Sequence, residues 1–192
     1  METKGDKEKK SFVDASILYT PQLVHSKVQI PFADIGSYST QGNNHDKIIE
    51  NYFKDYARKH LVNKCHKEGY ISSSPFKIVS YSAGKSIHTN VIYDVVFEFK
   101  VCYPHEGMII QCIIQSITKI GIKAVVDNDE YENPIVVFAS HLHNKNIFQN
   151  SDDDGGGADK GFKEGQIIQV KVLGFRFEIN DPSIYVLAEI KN

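Results

Sequence analysis

The chain is short of the residues that most sharply define a chemistry. Its three cysteines, Cys65, Cys102 and Cys112, are odd in number and lack metal-ligand spacing. That argues against a disulfide framework and for a reducing compartment. Arg58 and Arg176 are the only arginines among 22 basic residues, so base readout by arginine forks has little to draw on. The formal net charge is only −2, which argues against a globally basic, duplex-gripping protein. No apolar run approaches the ~20 residues that a membrane-spanning helix needs, so no membrane partner is expected. There is no Gly-x-Ser-x-Gly elbow. Glu98, Glu106, Glu178 and Glu189 form no pairing suited to acid–base work. The expectation is a protein that is not an enzyme, with no catalytic residue, no metal and no cofactor.

What is present is an ordinary globular composition, 41% hydrophobic and 24% charged, able to bury a core. Residues 1–11 are Lys-rich, have no apolar segment behind their charges, and read as a disordered tail rather than a secretory signal. Residues 12–32 look extended, with Ile17, Val24, Val28 and Ile30 among polar neighbours, and Pro21 and Pro31 as breaks. Residues 36–44 read as a polar loop. Apolar positions at 48, 49, 52, 53, 56, 57, 61 and 62 then mark one face of a helix from His45, with Asn44 as its cap. That face is expected to cover a sheet. Strand periodicity returns after Gly69, and Val95, Phe97, Phe99 and Val101 alternate with polar residues up to Tyr103. Residues 12–103 therefore read as an α+β domain, an antiparallel sheet covered by one helix. No flexible linker follows, so the last strand is expected to run directly into the next domain.

Residues 104–192 read as all-β. Five strand-like runs, 107–117, 121–126, 135–140, 165–173 and 184–190, are separated by Gly, Asp, Asn and Pro. Five short strands suit a closed oligonucleotide-binding (OB) barrel, a fold that commonly binds single-stranded nucleic acid. Between the third and fourth runs, 149–163 holds Asp152, Asp153, Asp154 and a Gly-rich stretch, expected to be a mobile insertion.

The order of these parts, with 91–101, 104–114, 120–126, 137–140, 165–176 and 184–191, resembles the stalk subunit of cellular DNA-directed RNA polymerase. That family comprises the seventh subunit of eukaryotic polymerase II and its archaeal counterpart. The resemblance spans residues 12–192. It implies a ribonucleoprotein-like tip domain followed by a barrel of the ribosomal-protein-S1 type. Two positions depart from general S1 barrels: Ile122 stands where they carry an aromatic, and Phe138 where they carry histidine. The second departure is shared by the polymerase family. The acidic insertion, the Lys-rich start and the lysine bias mark a divergent member, viral or protist.

The implied role is non-catalytic. The tip domain would dock on the polymerase core near the clamp through the loop after the helix, with Lys64, Cys65, His66, Gly69 and Tyr70 as the docking residues. The barrel would contact emerging single-stranded RNA, and a helical companion subunit would pack alongside. The implied location is intracellular, in nucleus or cytoplasm, or in the virion for a viral member. On the barrel, Lys119, Lys123, Phe138, His141, Lys171, Phe175 and Arg176 form the candidate RNA face, since such barrels bind with strands two and three and the adjoining loops. Each has a plainer reading: Phe138 and Phe175 as core, the cations as solvated surface. A free-standing S1-type RNA-binding protein and a protein-only adaptor remain alternatives.

Other tempting groupings are better read as structural. Ala83-Gly84-Lys85-Ser86 resembles the end of a phosphate-binding loop, but the motif needs a glycine where Val79 stands. Gly84 is expected in a hairpin turn instead. The aspartates 152–154 lack the alternation of a calcium loop. His141 and His143, and Cys65 with His66 and His60, lack the further ligands a zinc site needs.

Overall fold

The computed structural model describes residues 18–39, 45–126, 133–140, 142–144 and 162–191. The expected tail, the Asn44 cap, the three aspartates and most of the 149–163 insertion lie outside the described residues.

The N-terminal half is built on one long strand, β6 (Asn90–Cys102). Its alternation is nearly unbroken: Val91, Tyr93, Val95, Phe97, Phe99 and Val101 are all buried, while Asp94 and Lys100 are exposed. Strand β1 (Tyr19–Pro31) pairs antiparallel along its whole length, from Tyr19 opposite Cys102 to Pro31 opposite Asn90. Along the other edge of β6 lie β5 (Lys85–Ile87), β4 (Lys77–Tyr81) and β3 (Gly69–Ile71), end to end. β2 (Lys64–His66) pairs outside β3. Helix α2 (His45–His60) covers the apolar face. Ile49, Phe53 and Ala57, with Leu61 just beyond its end, recur four apart and are buried against the strands, as the helical period requires. Phe53 is fully buried and meets Tyr81 and Tyr93 edge-on, with ring centroids 5.2 and 5.3 Å apart.

Three local expectations differ from this structure. A second helix, α1 (Phe32–Ser39), covers the start of the expected polar loop. Gly36, Ser37 and Ser39 are weak helix formers, and tertiary context outweighs them: Ile35 packs on the helix–sheet cluster. Strands β4 and β5 do not pair with each other; both pair with β6. Gly84 is therefore not a hairpin turn residue. A Cβ there would come within 2.5 Å of Val91 Cγ1 and 2.8 Å of the Tyr93 ring, so close approach explains the glycine. A strand rather than a helix follows it, which also removes the phosphate-loop reading. Finally, residues 64–70 are the β2–β3 hairpin rather than an irregular loop.

The C-terminal half closes on itself. Strands β7 (Ile109–Thr118), β8 (Gly121–Val126), β9 (Ile135–Ser140), β10 (Ile167–Arg176) and β11 (Ile184–Lys191) form a five-stranded barrel in the order β7–β8–β9–β11–β10. Every pair is antiparallel except β9 with β11. The chain is thus mostly β, with a closed barrel compatible with an OB-like fold. Ile110, Ile114, Ile122, Val137, Val170 and Ala188 are among the interior residues, each at most 1% exposed.

The two halves share one apolar cluster. Leu18, Tyr19, Cys65, Tyr70 and Cys102 pack with the barrel interior. The Cys65 N–H donates to the Asp181 carbonyl (2.9 Å), and the Asn180 N–H donates to the Cys65 carbonyl (2.8 Å). β2 is thereby bonded to the segment between β10 and β11.

Asn144 closes the barrel where β9 ends. Its side chain is buried; Nδ2 donates to the Ser140 carbonyl (2.8 Å) and Oδ1 accepts from the Ile190 N–H (2.7 Å). Asn144→Ala leaves a buried strand N–H without its partner, and is expected to lower the unfolding free energy by about 1–3 kcal/mol. Leu142→Ala, at a position 74% exposed, should change it by less than about 0.5 kcal/mol. Urea titration of both variants checks the contrast.

Candidate nucleic-acid interface

Strand alternation fixes which barrel residues face outward. On β9 the interior residues are Ile135, Val137 and Ala139, so Val136, Phe138 and Ser140 face out. The register then extends this surface across three further strands. Lys123 of β8 lies opposite Phe138, which pairs with Leu187 of β11, which pairs with Gly174 of β10. In the next row Val125 pairs with Val136, Val136 with Tyr185, and Tyr185 with Arg176. The result is a continuous outer face with a half-buried ring at Phe138, an exposed ring at Tyr185, and cations at opposite corners.

The other expected residues fall around or away from this face. Lys119 is exposed in the β7–β8 turn beside Ile120. Lys171 is half-buried and lies opposite Glu189 of β11 and Ile109 of β7, one row beyond Leu187. Glu189 also accepts from Lys191 at 3.0 Å. Arg176 is exposed, and its Nη2 donates to Glu178 Oε1 at 2.7 Å. His141 lies outside the described residues, and His143 is exposed.

Phe175 does not join the outer face. The register shifts between Val172 and Gly174, and Phe175 falls opposite the interior residue Val186. Its ring packs edge-on against Tyr103 at 5.1 Å and stacks with Phe177 at 6.3 Å, at the junction of the two halves. The plainer reading of Phe175, as a packing residue, is the one its surroundings fit.

Tyr185 was not among the residues singled out from sequence. It is 55% exposed, and with Arg176, Glu178 and Asp181 it lines an open depression at the end of the barrel face. Its signal was present in the run from Ile184 to Lys191, where Ile184, Val186, Ala188 and Ile190 are interior and Tyr185 takes the alternate phase.

The expected docking residues sit on the β2–β3 hairpin, mostly turned inward. Cys65, Gly69 and Tyr70 are buried, whereas Lys64 and His66 are half-buried. Gly69 has φ +123°, and a Cβ there would lie 2.5 Å from the Cys102 carbonyl oxygen, so it serves the hairpin's fit to β6. Side chains buried within the chain are not available to a partner. The reachable part of this hairpin is Lys64, His66 and its turn, Lys67 and Glu68.

No group of three or more His, Cys, Asp or Glu side chains arranged for a metal ion is found among the described residues. Comparison of the sequence with protein-family models and with curated proteins found no match.

Burial makes the thiols at the junction weak acids. Cys65 is pushed up from 9.0 to about 11, first by burial and then by the Asp181 carboxylate. Cys102 is pushed up to about 12, by burial and then by Cys65. Both remain neutral in the folded chain at a pH where the unfolded chain ionises them. Their stabilising contribution is therefore complete below pH 9 and is lost as pH rises through about 11 for Cys65 and about 12 for Cys102. The urea midpoint should fall between pH 9 and 11, and Cys65→Ala should show a shallower fall than the unsubstituted chain. Equal slopes would show that Cys65 ionises alike in both states.

Proposed function

We propose that this chain is a non-catalytic stalk subunit of a multisubunit DNA-dependent RNA polymerase, docking near the clamp and contacting emerging RNA. In this reading the N-terminal sheet with its helices is the ribonucleoprotein-like tip and the barrel is of the S1 type. The polymerase core subunits are its partners, with a helical companion packed alongside. The observation that carries the reading is the union of two parts in the order the resemblance requires. An antiparallel sheet under a helix runs through β6 into a closed five-stranded barrel, and both halves share one apolar cluster. A body joined this way transmits a load from a docking end to an RNA-contacting end, which suits a stalk better than a tethered binding module.

A free-standing single-stranded RNA-binding protein is the second reading. The outer face with Lys123, Phe138, Tyr185 and Arg176 favours it, because rings and cations side by side suit a base and its phosphate whatever the assembly. The two readings differ in partner dependence.

Affinity capture of the tagged chain from its native cells is expected to bring down the large catalytic polymerase subunits in fixed proportion. The double substitution Lys64→Glu and Lys67→Glu reverses charge at the reachable part of the hairpin while sparing the buried Cys65, Gly69 and Tyr70. It should reduce that recovery at least about tenfold, the consequence of losing roughly 1.4 kcal/mol of binding. Capture of RNA without polymerase subunits would favour the second reading. Full recovery by the double variant would remove the hairpin from the docking surface.

A further inference from the structure

We infer that Tyr185 and Arg176 form a single-nucleotide subsite on the barrel, with Glu178 as a built-in competitor for the phosphate. The inference rests on the reading of the barrel's outer face as the RNA face. Tyr185 and Arg176 are directly opposed across β10 and β11. With Glu178 and Asp181 they line one open depression. Tyr185 is 55% exposed and is the most accessible ring on this face. A base stacked on that ring places its backbone beside the guanidinium one strand away, since directly opposed Cβ atoms lie about 4.5–5.5 Å apart. An arginine so placed takes a phosphate by paired, charge-assisted hydrogen bonds.

The guanidinium already has a carboxylate partner. Arg176 Nη2 donates to Glu178 Oε1 at 2.7 Å. Glu178 is itself held, because its backbone N–H donates to Asp181 Oδ2 at 2.8 Å and the Asp181 N–H donates to the Glu178 carbonyl at 3.1 Å. The turn thus keeps a carboxylate within reach of the cation that a phosphate would need. Both partners of the ion pair are largely exposed, so the pair is weak and a polyanion displaces it. The acids lower affinity without blocking the site. Phe138 lies diagonal to Tyr185 on the neighbouring strand, where a second base of the same strand has its own ring.

The test is fluorescence anisotropy of the full chain with a labelled uridine RNA of about ten nucleotides, within the usual range of sites on such barrels. Titrations run across a series of salt concentrations. Tyr185→Ala should weaken binding about fivefold or more, the loss of one stacked base, while Tyr185→Phe keeps affinity within about twofold. Glu178→Gln should tighten binding about threefold at low salt, a gain set by the small worth of an exposed pair. The gain should vanish when Arg176→Gln is also present. Binding indifferent to Tyr185→Ala, or a Glu178→Gln effect that persists without Arg176, overturns the inference while leaving the RNA face in place. No binding by the unsubstituted chain at low salt overturns the RNA-face reading and the subsite together. All these positions are on the surface, and circular dichroism of each variant separates lost contact from lost fold.

Discussion

The structure depends on one apolar seam. Strand β6 buries its alternate residues from Val91 to Val101 under helix α2, and its last residue, Cys102, packs with the interior of the barrel. Leu18, just before β1, and Tyr19, its first residue, approach the same cluster, as do Cys65 and Tyr70 from the β2–β3 hairpin. Burial at ~25 cal/mol per Å² of apolar surface makes such a cluster costly to open, so separating the halves exposes a core rather than a hinge. The high thiol pKa values of Cys65 and Cys102 have the same cause, removal of ionisable groups from water.

The seam also ties two surfaces together. Cys65 exchanges backbone hydrogen bonds with the segment that carries Asn180 and Asp181. That same segment holds Glu178 beside Arg176 and forms one wall of the depression under Tyr185. The hairpin expected to meet a larger assembly and the strand end expected to meet RNA are therefore fixed by one short turn. In the proposed stalk, a displacement at the hairpin reaches the barrel through hydrogen bonds of ordinary length.

Much of this was legible in the sequence, and the misses have physical causes. The helical period of Ile49, Phe53, Ala57 and Leu61, the alternation of β6 and the five barrel strands were readable because each element buries one face and exposes the other. Helix α1 was not, because Gly36 and its serines carry little helical preference and packing of Ile35 decides. The three-residue strands β2 and β3 are too short to show a period, and so read as a loop. Phe175 shares its alternation phase with Phe177 and only the irregularity near Gly174 sets which way it turns, a matter of strand register rather than composition. Tyr185 was overlooked because an aromatic in an apolar run resembles core until its neighbours are seen to point inward. Lys123 and Phe138 share a candidate face through the usual use of strands two and three, but their direct opposition comes only from the β8–β9 register.

The central claim is that the barrel's outer face meets RNA while the chain is part of a transcribing assembly. The most direct measurement replaces Phe138 with a photoreactive amino acid and irradiates elongating complexes carrying a labelled transcript. The account predicts label transfer to the chain from Phe138, and much less from the same group at Gln111, on the outer side of β7. Equal transfer from both positions, or transfer to neither while the chain stays bound to the polymerase, would contradict it.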